Sequence, residues 1–366
     1  MENQQPTNEH WAQTDEVLTR YKGHDRRDII KKAGLGALLL GPVSAVLAAC
    51  ASEENPKDVA NQAAKDARGT GMTMLGSNGG LVVTWYAEGK RAMERWASDL
   101  GVSLDWVDGE LNAQTQRAKL DNAAATKKYD LAAITAHESG TCVPPVRKLI
   151  DRGTRVVQMI STIGGPDDQL DLLTWCEQSS YDMGFNVAKA LFEAAGGRGT
   201  VIQTQGPAAF TGAKERARGF KDALAQYPGM KLLADDFGNW DVNRARELWD
   251  SYVNKYDEIT CGYFHNDDMA FAGLEALKSA GRAGSTFIGG ADAMPEAIKA
   301  VQDGTFTATA RHSACRMHSY PVVIGVASKM GALDKVPEKV VIDGPLVTKD
   351  NADTLLLLQN DSLLLV

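Results

Sequence analysis

The sequence predicts an α/β protein of two doubly wound lobes, each a parallel sheet covered on both faces by helices. Three observations predict it. From residue 72 onward, short apolar runs alternate steadily with longer segments of helical periodicity, and such alternation calls for parallel strands joined by helical crossovers. Setting aside an N-terminal export segment, residues 1 to 49, leaves 317 of the 366 residues, too many for one small core and ordinary for two domains. Polar clusters also follow the apolar runs directly, as His265-Asn266-Asp267-Asp268 follows Phe264. Open parallel sheets bind ligands at that end of the strands.

The export segment comes first. Arg26-Arg27 precede a run from Ala33 to Ala49 that carries no charge but is interrupted by Gly34, Gly36, Gly41 and Pro42. Such a run is short for a permanent membrane span and reads as a cleaved signal. The arginine pair, with Ile29-Ile30-Lys31 behind it, resembles a twin-arginine signal, although Asp25 stands where Ser or Thr is usual. Leu47-Ala48-Ala49-Cys50 resembles a bacterial lipobox. On that reading Cys50 is the acylated first residue of a chain held by lipid in the periplasm or on the outer face of the cell membrane. The alternative is a retained signal anchor, which tethers the chain at the same surface. Gly34-Leu35-Gly36 with Gly41 is not a dinucleotide loop, because no strand precedes it. Residues 50–70 are polar and alanine-rich and are read as a flexible tether.

Strands are expected at Met72 to Leu75, Leu104 to Val107, Leu131 to Thr135, Val156 to Ile160, Val201 to Thr204, Ile259 to Phe264 and Phe287 to Gly289. Helices fill the gaps. In one, Val242, Ala245, Leu248, Trp249, Tyr252 and Val253 recur at 3.6-residue spacing, opposite Asn243, Arg246, Glu247 and Asp250. Besides the cluster after Phe264, Ala291-Asp292 follows Gly289-Gly290, Arg311-His312 follows Thr309-Ala310, and a Gly-Pro loop leading to Lys214-Glu215-Arg216 follows Thr204.

Composition narrows the function. The export segment holds equal numbers of acidic and basic residues, so the formal charge of −8 stays with the mature part, and an acidic chain is a poor partner for nucleic acid. Beyond Cys50, the cysteines Cys142, Cys176, Cys261 and Cys315 are far apart and lack metal-ligand spacing. They read as buried thiols, with one bridge left open. Neither a metal nor a cofactor is expected.

Five blocks in register resemble the periplasmic sugar-binding proteins of the ribose-binding type, type I solute-binding proteins of ABC importers. They are Gly206-Pro207 through Arg216-Ala217-Arg218-Gly219-Phe220, Asn239-Trp240-Asp241, Asn266-Asp267-Asp268-Met269-Ala270, Gly290-Ala291-Asp292-Ala293-Met294-Pro295, and Thr307-Ala308-Thr309. The resemblance implies a clamp crossed three times at its hinge. Lobe one would hold residues 71–176 and 313–343, and lobe two residues 177–312 and 344–366. It further implies that Trp85, Tyr86 and Trp240 provide aromatic faces, while Arg216, Asn266, Asp292 and His312 bond hydroxyls. Those residue types suit a sugar independently, since a sugar offers apolar C–H faces and a rim of hydroxyls.

Each position also has a structural reading. Asn266 suits a helix N-cap, Asp267 and Asp268 complement a helix N-terminus, and Asp292 before Pro295 suits a turn. Trp85 and Trp240 suit the core, and Arg216 suits a solvated face. His312 stands where the ribose type usually has Gln, and Ile160-Ser161 replace an Asp-Arg pair that grips the ring. His137 and Glu138 are candidates to supply lobe-one polar contacts instead.

The function expected is a monomeric, lipid-anchored receptor that passes a sugar or sugar alcohol to ABC permease subunits and catalyses nothing. A sensory subunit for a chemoreceptor or kinase is the alternative. An exported hydrolase is less favoured, because no nucleophile motif or HExxH is present.

Overall fold

A computed structural model describes residues 71–331, 335–342 and 344–358. The export signal, Cys50 and the tether lie outside the described residues. Each of the seven apolar runs carries a strand, and the strands assemble into two six-stranded sheets.

The first half of the chain runs β1 (Thr73–Asn78), α1 (Thr84–Asp99), β2 (Ser103–Asp108), α2 (Ala113–Thr126), β3 (Leu131–Ile134), α3 (Val143–Asp151), β4 (Arg155–Met159) and β5 (Thr174–Glu177). The second runs α4 (Ser180–Ala194), β6 (Arg198–Gln205), α5 (Thr211–Ala225), β7 (Gly229–Phe237), α6 (Val242–Lys255), β8 (Cys261–Phe264), α7 (Asp267–Ser279), β9 (Phe287–Asp292), α8 (Pro295–Asp303) and β10 (Ala308–Arg311). After α9 (Ala314–Lys329) come β11 (Lys339–Val341), β12 (Leu346–Val347) and α10 (Ala352–Leu358).

The sheets have the orders β11-β5-β4-β3-β1-β2 and β12-β10-β9-β8-β6-β7. All pairings are parallel except that of β10 with β12. The central strands β3 and β8 are buried at every position, as expected of strands covered on both faces. In α6, Ala245, Trp249 and Tyr252 are buried, and the Trp249 indole donates to Thr204 Oγ1 at 2.8 Å. Val242, counted with that apolar stripe, is 45% exposed, because it sits in the first turn before the helix has seated on the sheet.

The chain passes between the sheets at three places, after β5, after β10 and between β11 and β12. These crossings touch. The Gln178 amide donates to the Arg311 carbonyl, the Arg311 N–H donates to Pro345 O at 2.9 Å, and the Ile342 N–H donates to Glu177 O at 2.8 Å. Gly344 lies where a Cβ would overlap both Gln178 Nε2 and Arg311 O, so this crossing needs glycine for close approach.

Candidate functional site

The segments after β1, β4, β6, β7, β8, β9 and β10 meet between the two sheets and line a small, partly open cavity. Its lining includes Trp85, Tyr86, Arg216, Trp240, Asn266, Asp292 and His312. Val83, Ile160 and Phe210 complete it.

Asn266 is a helix N-cap and also lines the cavity. Its Oδ1 accepts from the Met269 N–H at 3.0 Å as the N-cap of α7, and its buried Nδ2 has no protein partner. Arg216 lies on the inner face of α5 and is 3% exposed, unlike its exposed neighbours Lys214 and Arg218. It is not on a solvated face. Its Nη1 donates to His265 O, its Nη2 lies 3.8 Å from Asp292 Oδ1, and its guanidinium sits over the Trp240 ring at 5.5 Å.

Arg216 Nη2 also lies 3.2 Å from His312 Nδ1. A guanidinium only donates, so Nδ1 is the acceptor and the proton of the neutral ring resides on Nε2. Burial, reinforced by Arg216, holds the His312 imidazole well below its usual range. Burial pushes the Asp292 carboxyl up against the opposing pull of Arg216. The His312 ring stacks on Trp85 at 4.3 Å between centroids, while the Trp85 indole donates to the His312 carbonyl at 2.6 Å.

Four buried N–H groups around this cavity have no protein partner: Arg216 Nε, Trp240 Nε1, Asn266 Nδ2 and His312 Nε2. Buried donors are normally satisfied. Their convergence, with the Asp292 carboxylate among them, suits a molecule rich in oxygen acceptors that also carries hydroxyl donors.

The backbone is strained at the same places. Ile160, Trp240 and Asp292 have φ of 56°, 63° and 115°, conformations that L-residues seldom adopt and that concentrate at ligand sites. Asp267 explains how the Asp292 turn is held. The expectation that it serves the helix N-terminus is incomplete, because its buried carboxylate accepts from the Met294 N–H at 2.9 Å and the Thr309 hydroxyl at 2.7 Å. A Cβ on Gly290 would overlap Asp267 Oδ1.

His137 and Glu138 fall outside the cavity lining. His137 is buried behind Tyr86, with its backbone N–H donating to Gln116 Oε1 at 2.9 Å. Phe210 was missed by the sequence reading; it caps α5 at the N-terminus and meets the Trp240 ring edge to face at 5.7 Å. An aromatic in the Gly-Pro loop just before Arg216 was the available signal. Cys142, Cys176, Cys261 and Cys315 are all free thiols, so the bridge left open does not form. Among the described residues there is no metal-ligating cluster and no helix long and apolar enough to cross a membrane.

Residues 78–319 match the periplasmic binding protein domain. The chain is 26% identical over 274 residues to the xylitol-binding protein of Mycolicibacterium smegmatis, covering 74% of this chain and 75% of that protein. It is 26% identical over 284 residues to the D-allose-binding periplasmic protein of Escherichia coli, covering 72% and 88% respectively. A solute-binding protein from Actinobacillus succinogenes, solved with bound D-allose, has the same fold, with a TM-score of 0.70, 21% identity, and coverage of 77% of this chain and 99% of that one. The domain match spans more than half of the sequence and joins a two-sheet clamp to a cavity between its lobes; this chain belongs to the periplasmic binding protein family and is a solute-binding protein of the ribose-binding type, not an enzyme.

Proposed function

We propose that this protein captures a neutral sugar or sugar alcohol between its lobes and delivers it to an ABC importer. The observation that carries this reading is the set of four unpartnered N–H donors that share one cavity with the Asp292 carboxylate and the rings of Trp85, Tyr86 and Trp240. Hydroxyl and ring oxygens of a polyol accept from those donors, its hydroxyls donate to Asp292, and its C–H faces lie on the rings. The ligand is neutral because Arg216 and Asp292 already offset each other at 3.8 Å. The relatives named for xylitol and D-allose binding support the same class.

In this reading Trp85, Tyr86, Arg216, Trp240, Asn266, Asp292 and His312 contact the ligand, and His137 supports Tyr86 from behind. Residues 71–176 with 313–343 move against residues 177–312 with 344–366. Ligand touches both bodies only when they are closed, so binding shifts the population toward the closed form that permease subunits recognise. The protein works as a monomer, exported by the Arg26-Arg27 signal and anchored through Cys50.

A thermal-shift screen over pentoses, hexoses, polyols and inositols tests the ligand class. A ligand at 100-fold its dissociation constant stabilises by about 2.7 kcal/mol. If no neutral polyol raises the midpoint, the ligand class is wrong.

A further inference from the structure

The end of β4 leads into Ile160-Ser161, and the structure gives that pair a definite chemistry. Ile160 lines the cavity while φ is 56°, a conformation in which a β-branched residue is a true outlier. Neighbours hold it there. Its N–H donates to Cys176 O at 2.8 Å, and its carbonyl accepts from the Trp175 indole at 3.1 Å. The N–H of Ile160 is therefore spent, and its carbonyl already accepts one bond within the protein.

Phe210 stands beside it where the lobes meet, since the adjacent Thr211 N–H lies 3.4 Å from Ser161 Oγ and the Thr162 and Thr211 hydroxyls are 2.8 Å apart. Its backbone groups are bonded as well, the N–H donating to Pro207 O at 3.0 Å and the carbonyl accepting from the Ala213 N–H at 3.1 Å. The Ser161 hydroxyl is turned to Thr211 and does not line the cavity. A ligand hydroxyl reaching this rim meets a sec-butyl side chain, a phenyl ring and no free backbone N–H.

The unpartnered donors that line the cavity sit on Arg216, Trp240, Asn266 and His312 of the second lobe. The first lobe adds Val83, Ile160, the Trp85 ring and the Tyr86 ring with its hydroxyl. The Trp85 N–H is already bonded to His312 O. Apart from the Tyr86 hydroxyl, the polar side chains that line the cavity come from the second lobe.

We propose that Ile160 and Phe210 form an apolar subsite that selects ligands carrying a deoxygenated carbon, a methyl or methylene group, where they meet these two side chains. This deepens the sugar reading and rests on it. Deoxy sugars and deoxy polyols are then the preferred substrates over their fully hydroxylated parents. The added hydroxyl of a parent exchanges water for an apolar wall, and a site of this kind rejects such an isostere by about ten- to a hundred-fold.

Calorimetric titration of the wild-type protein with matched pairs tests this: D-fucose against D-galactose, L-rhamnose against L-mannose, 5-deoxy-D-ribose against D-ribose, and a 1-deoxypentitol against its parent pentitol. The expected result is at least one pair in which the deoxy member binds about tenfold or more tightly. The Ile160→Asn variant, whose side chain tolerates the left-handed backbone and adds a donor and an acceptor, should narrow or invert that ratio while keeping the thermal midpoint. Parents binding as tightly as their deoxy partners, while sugars do bind, overturns the subsite alone. Heat from no member of any pair removes the sugar reading and the subsite with it.

Discussion

Asp268, in the first turn of α7, caps the N-terminus of α1 from the opposite lobe. One of its carboxylate oxygens accepts from the Thr84 N–H at 3.0 Å and the other from the Thr84 hydroxyl. Helix α1 has no cap of its own, because Val83 precedes it. The first-turn N–H groups of a helix lack internal partners, and in the proposed clamp α1 would have this one only while the lobes are shut. Asp268, which the sequence assigned to local helix chemistry, thus bonds across the two lobes.

Asp268→Ala should therefore destabilise the closed form by about 1 kcal/mol, the usual worth of an N-cap. The expected outcome is ligand binding weakened about fivefold, mainly through faster release, with the unliganded thermal midpoint unchanged. Stopped-flow release rates check it; a release rate equal to wild type would remove the cross-lobe role.

The Arg216 and Asp292 pair carries a second prediction. Both side chains are under 10% exposed, and breaking a buried pair leaves an uncompensated charge that costs about 3–5 kcal/mol. Arg216→Met should lose that much in urea denaturation, and Arg216→Met with Asp292→Leu should recover most of it. Neither variant should bind ligand. A double variant that still binds would show that the pair is structural only.

A third prediction concerns His318, buried between Trp85 and Trp106 with centroid distances of 5.0 and 6.4 Å. Its Nδ1–H donates to Ala314 O at 2.9 Å, and burial lowers its pKa to about 4. The unfolded ring binds a proton near pH 6.5 and the folded ring does not, so this group's contribution is complete above pH 6.5 and is lost as pH falls toward 4. Asp267, raised to about 8 by burial, acts in the opposite sense, so the comparison must be with wild type. His318→Gln should flatten the fall in stability between pH 6.5 and 4 by up to about 1.4 kcal/mol per pH unit. Parallel pH profiles of the two proteins would contradict a neutral buried ring.

Gly344→Ala provides a test of the hinge. A methyl group there overlaps Gln178 and Arg311 O, where the three crossings meet. The expected loss is about 1–3 kcal/mol in chemical denaturation, in the range of overpacking. An unchanged midpoint would mean that the crossings have room to separate.

The fold was legible wherever burial on both faces made strands continuously apolar, as in Leu131–Ile134 and Cys261–Phe264. The edges were not. Strand β7 carries Lys231, Asp235 and Asp236 because only one of its sides pairs, and such charge protects an edge while hiding it from a search for apolar runs. The site was legible through residue types placed after strands, but Arg216 and Asn266 could be separated from a solvated charge and a plain cap only by their burial and their unpartnered atoms. Phe210 escaped notice because a lone aromatic in a Gly-Pro loop carries no periodic signal. His137 and Glu138 looked equivalent to the residues of that cavity in sequence, yet neither lines it, and His137 is packed near Tyr86.

The most direct measurement is calorimetric titration of wild-type protein and of Arg216→Ala against neutral sugars, polyols and their charged analogues, the uronic acids and amino sugars. Saturable binding of a neutral polyol by wild type, weakened at least a hundredfold in Arg216→Ala, is the predicted result. Binding confined to charged solutes, or a neutral polyol bound equally well by both proteins, would contradict it.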